Sequence, residues 1–391
     1  MKKIFRKLHL WLSIPFGIVI TLICFSGASL VFEQEITRCL HHDLYYVENQ
    51  SGQPMALDAL MQKVATTLPD SVEITGVTIF PDASRAYQVS LSKPRRASMM
   101  VDQYTGEVKG RVKRDAFFSV MFRMHRWLLG SSSAPGGGMS AGKLIVGIST
   151  LVFVITLITG VVIWFPTRRK SIKSRFEISV KHGWFRFWHG LHNAGGIYAL
   201  ILLLAMSLTG LTWSFPWYRA GFYGMFGVES QRQQPGGKGK GDANRGDKGK
   251  PAKEKGKPGR DGKLHGEKHG GKEANPFAQW QAAYDAVVAK SGNCDEIRVG
   301  DGKVSVSSFH FGNGRAADTY EFDSVTGKLT KFVPYEESAK QGKAFGTVYS
   351  VHTGSWGGLI TRILTCVSAL IGASLPITGY YLWIRRLRKK H

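Results

Sequence analysis

Four long apolar segments alternate with polar stretches along the chain. They occupy residues 8–32, 144–165, 187–215 and 363–384. Each segment is close to, or longer than, the roughly 20 residues that an α-helix needs to cross the hydrocarbon core of a bilayer. The pattern therefore predicts a membrane protein with four transmembrane helices.

The two long polar stretches between these spans show the periodicities of small α+β domains. In each stretch, one amphipathic helical segment precedes three runs of residues that are typical of strands, and a turn follows them. The predicted helices are 56–67 and 276–290. The predicted strands are 72–80, 87–91 and 98–101 in the first stretch, and 296–299, 303–309 and 319–322 in the second.

Short motifs recur in the two halves of the chain in the same order. The recurring pairs are Leu8-His9 with Leu191-His192, Ser26-Gly27 with Thr209-Gly210, Asp102-x-x-Thr105-Gly106 with Asp323-x-x-Thr326-Gly327, His125 with His352, and Thr159-Gly160 with Thr378-Gly379. Such self-similarity indicates repeated structural units. It predicts two parallel repeats, each made of a span, an extracytoplasmic α+β domain and a second span. The Asp-x-x-Thr-Gly elements are predicted to be hairpin turns.

The net charge is +24, with 52 Lys and Arg against 28 Asp and Glu. Basic domains of this kind often bind nucleic acid. Here most of the excess charge lies in four clusters, at residues 2–7, 168–186, 235–272 and 385–390. The rest of the chain is nearly neutral and leaves no basic groove, which argues against a nucleic-acid partner.

Short basic loops stay on the cytoplasmic side of a membrane, so both termini and the loop between spans 2 and 3 are predicted to be cytoplasmic. The Gly, Lys and Pro content of residues 231–274 predicts a disordered insert. The first span resembles a signal peptide, but its length and its counterpart in the second repeat favour an uncleaved anchor. The predicted organisation is transmembrane helix 1 (8–33), domain 1 (34–121), a juxtamembrane segment with transmembrane helix 2 (122–166), a basic loop (167–186), transmembrane helix 3 (187–216), the insert (231–274), domain 2 (275–345), and a juxtamembrane segment with transmembrane helix 4 (346–385).

Five histidines lie at the ends of the predicted spans. His9, His189 and His192 are at the cytoplasmic ends of spans 1 and 3, whereas His125 and His352 precede spans 2 and 4 at the opposite face. A single histidine at such a depth is commonly an interfacial polar side chain. Equivalent positions in both repeats instead predict one facing pair at each face, and ionisable groups at span ends indicate function.

Haem suits such pairs better than a bare metal ion. Imidazole is a common ligand of haem iron, which needs two axial ligands, whereas bare zinc or copper sites usually need three or four. The pattern predicts that His9 and His192 bind one haem and that His125 and His352 bind another. His189 is either an alternative to His192 or a hydrogen-bond partner of the haem edge.

Other residues at matching depths could contact such a cofactor. Lys143 and Arg362 mark the outer ends of spans 2 and 4 and are predicted partners of haem propionates. Arg123, Arg126 and Arg186 are further candidates, for which snorkelling cations are the simpler interpretation. Small residues in the spans predict either a slot for a flat cofactor or close helix packing. These small residues are Gly27, Gly160, Gly210 and Gly379.

The cysteines do not form a haem-attachment motif. Because no C-x-x-C-H sequence occurs, any haem is predicted to be the non-covalent b type. Cys24 and Cys366 lie within spans, and Cys39 and Cys294 could form a disulfide in an oxidising compartment.

Five motifs, taken in order, resemble a known family. They are R-K-L-H-L-W at 6–11, F-R-M-H-R-W at 122–127, F-W-H-G-L-H-N-A-G-G at 187–196, V-H-T-G at 351–354 and L-P-I-T-G-Y-Y-L-W-I-R-R at 375–386. Together they resemble the PepSY-associated transmembrane family over nearly the whole chain except 231–274, and the Asp-x-x-Thr-Gly turns resemble its extracytoplasmic PepSY domains.

The resemblance implies an iron-regulated protein of the bacterial inner membrane, of the ferric-siderophore reductase type, with two b haems. The implied ligands are His9, His125, His192 and His352, whereas His189 falls where family members more often have another residue. The implied partners are a ferric siderophore or another Fe(III) chelate and, since the chain contains no flavin reductase domain, a quinol or a cytoplasmic flavoprotein as electron donor.

Three functional hypotheses follow. The first is a di-haem electron-transfer protein that reduces ferric chelates, an oxidoreductase for which no catalytic residue is assigned. The second is a non-catalytic scaffold or protease regulator whose PepSY domains bind peptides. The third, a transporter, is disfavoured because no charged residue lies at the centre of a span.

Overall fold

The computed structural model describes residues 2–134, 138–165, 175–181, 183–229, 275–300 and 302–388. The predicted insert 231–274 lies outside these ranges, as do residues 167–174 and 182 of the predicted basic loop 167–186. In chain order the helices are α1 (Lys2–Leu30), α2 (Glu33–Leu40), α3 (His42–Tyr45), α4 (Leu57–Ala65), α5 (Ala116–Trp127), α6 (Ala141–Trp164), α7 (Trp184–Gly190), α8 (Gly196–Ser214), α9 (Pro216–Gly224), α10 (Trp280–Val288), α11 (Lys340–Thr353) and α12 (Gly358–Arg388). A π-helical turn, Leu191–Gly195, joins α7 to α8.

Four stretches of helix in the described ranges are long and apolar enough to cross a membrane. They are Lys2–Leu30, Ala141–Trp164, Trp184–Ser214 and Ser355–Arg388. The predicted number of spans is therefore confirmed. The helices at both ends of the chain extend beyond the apolar segments, because Lys and Arg have high helix propensity and can reach the aqueous interface from a span.

The four span helices form one bundle. α1 packs against α6 and α12, and α8 packs against the same two helices. Between α1 and α12, Thr21 Oγ1 donates a hydrogen bond to the Ala373 carbonyl (3.1 Å) and Tyr380 Oη donates to the Ile14 carbonyl (2.5 Å). Small residues allow this approach, since a Cβ at Gly17 would lie 2.5 Å from Tyr380 Oη.

Beside the bundle, all the strands of the described residues form one antiparallel sheet in the order β4-β3-β2-β1-β5-β6-β7-β8. In chain order they are β1 (Ile74–Ile79), β2 (Tyr87–Leu91), β3 (Ser98–Val101), β4 (Val108–Arg111), β5 (Glu296–Gly300), β6 (Lys303–Ser307), β7 (Ala317–Phe322) and β8 (Leu329–Val333). The six predicted strands are confirmed within a few residues. β4 and β8 were not predicted, because they are short, partly exposed and contain Gly, Lys and Arg, which hide the alternation of a strand.

The sheet joins the two predicted domains into one structure. β1 pairs with β5 in the register Val77↔Val299, Thr78↔Arg298 and Ile79↔Ile297. α4 and α10 cover the sheet, and residues from both halves share one core. Segments 34–121 and 275–345 are therefore not separate bodies: β1 and β5 are neighbours at the centre of the sheet, and Val77 and Val299, which pair there, are fully buried.

Both Asp-x-x-Thr-Gly elements form the predicted hairpin turns. Asp102 Oδ1 accepts hydrogen bonds from the backbone N–H groups of Tyr104 and Thr105 (2.7 and 3.2 Å), and Gly106 has φ = +73°. In the second turn, Asp323 accepts the equivalent bonds and Gly327 has φ = +69°. Glycine is favoured at both positions because other residues rarely adopt positive φ.

The pairing of β1 with β5 depends on small residues. A Cβ at Gly300 would overlap the Thr75 carbonyl oxygen and lie 2.7 Å from Gly76 Cα. We expect Gly300→Ala to cost about 1–3 kcal/mol, because backbone rather than a flexible side chain blocks the methyl group. Hydrogen exchange of β1 and β5 should become roughly tenfold faster or more.

Gly292→Ala is the matched control, because nothing lies within 4 Å of a Cβ at Gly292. It should leave exchange in β1 and β5 unchanged. Exchange at the wild-type rate in Gly300→Ala would contradict the proposed packing of this pair of strands.

Candidate functional site

The helical bundle contains two pairs of histidines, and within each pair the two rings face each other. His9 of α1 lies opposite His192 of the π-helical turn, with ring centres 6.4 Å apart and ring planes perpendicular. His125 of α5 lies opposite His352 of α11, with ring centres 5.9 Å apart and planes inclined by 51°. We call these the terminus-side pair and the sheet-side pair. Each contains one histidine from each half of the chain.

All four imidazoles are held by the same kind of hydrogen bond. In each ring, Nδ1 lies 2.9 to 3.1 Å from a backbone carbonyl oxygen of a neighbouring helix. Because a carbonyl only accepts, Nδ1 must carry the proton and Nε2 is left with a free lone pair. The accepting carbonyls are Thr156 for His9, Ile23 for His125, Leu375 for His192 and Met206 for His352.

Each accepting carbonyl lies one helical turn before one of the predicted glycines. A side chain at that glycine would lie over the carbonyl and against the imidazole. A Cβ at Gly27 would lie 2.9 Å from Cε1 of His125, and one at Gly210 would lie 3.1 Å from Cε1 of His352. At Gly160 and Gly379 the corresponding distances to His9 and His192 are both 3.5 Å. Each of the four glycines therefore leaves room for an imidazole ring against its helix, a contact that the sequence did not reveal. We call such a glycine, together with the carbonyl one turn before it, the seat of that histidine.

The hydroxyl before the glycine completes three of these seats. Thr159 Oγ1 lies 3.0 Å from His9 Nδ1, and Thr378 Oγ1 lies 2.9 Å from His192 Nδ1. Thr209 Oγ1 lies 3.2 Å from His352 Nδ1. All four hydroxyls donate to carbonyls of their own helices, and in the described residues Ser26 is the one that makes no hydrogen bond to its histidine as well. The recurrence of Thr-Gly was visible in the sequence, but only the fold shows which histidine each pair contacts.

The π-helical turn decides which histidine of span 3 faces His9. His192 lies within this wide turn and points towards His9. His189 contacts the side chain of Asn193 instead. Asn193 Nδ2 donates a hydrogen bond to the His189 carbonyl (3.0 Å) and lies 3.1 Å from His189 Nε2. Such turns occur often at functional sites. The structure thus pairs His192 with His9, and leaves His189 beside the pair.

A cavity of about 730 Å³ surrounds the terminus-side pair. Its wall is mainly apolar and comes from all four span helices, and it also includes His189. Arg6, Arg385 and Arg386 line it as well. Trp164 also lines this cavity, and its Nε1 is buried without a hydrogen-bond partner among the described residues. Size and lining suit a flat apolar ligand that carries a few polar groups.

The two cations that were predicted to pair with propionates have different surroundings. Arg362 forms a two-pronged ion pair with Glu35 of α2 (2.5 and 2.8 Å) and also donates to the Val31 carbonyl. These hydrogen bonds hold the pKa of the Glu35 carboxyl below its usual value. Lys143 has cationic neighbours instead, Arg126 and Arg219. Of the two, Lys143 is thus the one without a described carboxylate partner.

The distances within both pairs suit a metal ion shared by two imidazoles. Two metal–nitrogen bonds of about 2 Å would place the ring centres roughly 6 Å apart. The described residues contain no group of three or more His, Cys, Asp and Glu side chains that could hold a metal ion without further ligands. Haem, which provides the remaining ligands itself, fits these residues. All four cysteines are free, so Cys39 and Cys294 do not form a disulfide.

Burial keeps the sheet-side pair neutral. It lowers the pKa of His125, and it lowers the pKa of His352 to about 4. Neutral imidazole is the form that binds metal ions. Both rings are therefore in the protonation state that leaves Nε2 available to bind a metal ion.

We expect His352 to stay unprotonated on Nε2 down to about pH 5 in protein purified without a cofactor. The unfolded chain would take up this proton near pH 6.5, the folded chain only near pH 4. Acidification between these values should therefore destabilise the fold. Imidazole ¹⁵N NMR shifts, assigned with the variant His352→Gln, would measure this. A titration midpoint near pH 6.5 would contradict the burial argument.

Comparison with known proteins agrees with this architecture. The family model described as PepSY-associated TM region matches residues 6–386. This range includes all four span helices, the sheet and both histidine pairs. A comparison with curated proteins gave no match. The chain belongs to the PepSY-associated TM region family.

Proposed function

We propose that this protein carries electrons across the bacterial inner membrane through two b haems and reduces Fe(III) in siderophores or other chelates. The observation that carries the proposal is the pair of facing imidazole couples, with ring centres 6.4 and 5.9 Å apart. In each couple both Nε2 atoms are free to bind iron, because both Nδ1–H groups are engaged by helix carbonyls.

Each couple has a distinct set of supporting residues. His9 and His192 would hold one haem in the 730 Å³ cavity, where Arg6, Arg385 and Arg386 can receive its carboxylates. His125 and His352 would hold the other, near the cation Arg126, which is itself a neighbour of Lys143. If bound there, haem would supply a one-electron Fe(III)/Fe(II) couple, and the two imidazoles of each pair would hold it.

The distance between the terminus-side pair and the sheet-side pair suits the transfer of electrons across a membrane. From His9 to Ile23, whose carbonyl binds His125, α1 rises roughly 20 Å. An apolar cluster that includes Ile20, Phe153 and Leu203 lies in the bundle between the two levels, and Ile20 and Phe153 also line the cavity. An isolated charge would be costly in this apolar region.

Reduction provides a physical reason for iron release. Hard oxygen ligands of the kind found in iron chelators favour Fe(III), and Fe(II) binds them less well. The chelate would be reduced at the sheet-side pair, and the sheet would hold the chelate beside that pair. The electron donor would be a quinol or a cytoplasmic flavoprotein at the opposite face.

The proposal includes an orientation and an internal symmetry. The basic residues near both termini support a cytoplasmic location for the termini and hence a periplasmic sheet. Two parallel repeats with PepSY-like domains are supported by the recurring order of helix and four strands, by the paired turns and by the four similar histidine seats.

The direct test is a redox spectrum of the purified protein with haem-to-protein stoichiometry. We expect a Soret band, resolved α and β bands on reduction, and about two haems per chain. Colourless protein from haem-replete cells would contradict the proposal and favour the alternative, a scaffold or protease regulator whose PepSY domains bind peptides.

Single histidine variants should separate the two sites. His125→Ala and His352→Ala should each lose about half of the haem and abolish chelate reduction, because each variant removes one of the two imidazoles that would hold the sheet-side haem. His9→Ala should retain the sheet-side haem but cut it off from the electron donor. His189→Ala is the matched control, since His189 lines the same cavity but faces Asn193, and it should retain both haems. Full haem in both His125→Ala and His352→Ala would refute the assignment.

The distances between each glycine and its histidine predict different effects for two Gly→Ala variants. In Gly27→Ala the new methyl group would lie 2.9 Å from His125 Cε1, too close for the ring to keep its place. In Gly160→Ala the corresponding distance to His9 is 3.5 Å, an ordinary contact. Because Gly160 also lines the 730 Å³ cavity, we expect a larger change in the haem spectrum and potential in Gly27→Ala than in Gly160→Ala. Equal effects in the two variants would contradict the seating role.

A further inference from the structure

The loop between β6 and β7 carries two exposed phenylalanines. Phe309 is 58% exposed and Phe311 is 77% exposed. Between them, His310 turns inward, where its ring packs edge-on against Tyr335 with centres 4.8 Å apart. The alternation places both phenyl rings on the outer side of the loop. An exposed apolar pair of this size is unusual on a surface that faces water.

The loop is attached to the beginning of a membrane span. Gly312 N–H donates a hydrogen bond to the Trp356 carbonyl (2.7 Å), and the Phe311 ring packs edge-on against the Trp356 ring (5.5 Å). The Phe309 ring lies beside Gly358, the first residue of α12. These contacts hold the two phenylalanines at the level where the span starts.

The neighbouring surface of that span is also apolar. Leu359 and Ile360, in the first turn of α12, are 62% and 71% exposed. They belong to a helix that is long and apolar enough to cross a membrane, so their exposed faces are suited to lipid. The phenylalanines continue this lipid-facing surface from the span onto the sheet.

We propose that the loop 308–315 inserts Phe309 and Phe311 into the lipid interface of the bilayer. Aromatic side chains are enriched at this depth, where an apolar ring can be buried while nearby polar groups stay hydrated. The occupant of the exposed surface is thus phospholipid, as the continuity with Leu359 and Ile360 indicates. The proposal does not depend on a bound cofactor.

The same loop also holds the helix that carries His352. Asn313 is buried and packs against Gly346 of α11, and Gly314 N–H donates to Ser350 Oγ (2.9 Å). The Arg315 guanidinium lies 3.4 Å from the centre of the Tyr349 ring. The outer side of the loop therefore contacts lipid while its following residues fix α11. Seating in the membrane would help to set the position of this helix.

Hydroxyl-radical footprinting of the full chain in nanodiscs of phosphatidylethanolamine and phosphatidylglycerol tests the proposal. Phe332 on β8 is an internal control of the same residue type, 50% exposed. If lipid covers the loop, Phe309 and Phe311 should be oxidised at least about threefold more slowly than Phe332, although both are more exposed in the protein alone. Oxidation at or above the rate of Phe332 would refute the insertion.

A second measurement separates lipid from a second copy of the chain. Nanodiscs that contain a phospholipid with a photoreactive group near the top of its acyl chain should give lipid adducts on residues 309–311. Val325, 78% exposed in the turn at the other end of β7, should give none. Protection without lipid adducts, or crosslinks from the loop to another protein chain, would overturn the proposal.

Discussion

The candidate site depends on one interaction, the hydrogen bond from a histidine Nδ1–H to a helix carbonyl exposed by a glycine. It fixes the tautomer, orients the ring and satisfies a polar group that would be costly to bury unpaired. The interaction occurs four times, and each time it joins a histidine to a different helix. The helix packing and the geometry of the two couples are thus determined by the same contacts.

The continuous sheet positions the two helices that carry the sheet-side pair. β4 and β8 are the two edge strands, and α5 and α11 follow them in the chain. These helices carry His125 and His352. Because β1 and β5 pair at the centre of the sheet, the two halves cannot move independently without breaking backbone hydrogen bonds and opening a shared core. The sheet is therefore a rigid link between the two ligand-bearing helices.

Polar contacts outside the helical bundle also help to position α5, α11 and α12. α2 holds the beginning of α12 through Glu35 and Arg362, and it meets the segment before α5 through the ion pair of Glu33 with Arg114 (2.5 Å). On the other side, the β6–β7 loop fixes α11. The position of each imidazole ring thus depends on the helical bundle, whereas the positions of α5 and α11 depend on contacts with α2 and with the β6–β7 loop.

The sequence by itself determined the class of protein, the four spans, six of the strands, both turns and which histidines lie at the ends of the spans. These features are local, since span length, strand alternation and Asp-x-x-Thr-Gly chemistry are complete within one segment. Only the tertiary structure decided that His192 rather than His189 faces His9, that the glycines seat imidazoles, and that two predicted domains share one sheet. Each of these depends on contacts between residues far apart in the chain, such as His9 with Gly160 or Val77 with Val299, and no local pattern specifies such a partner.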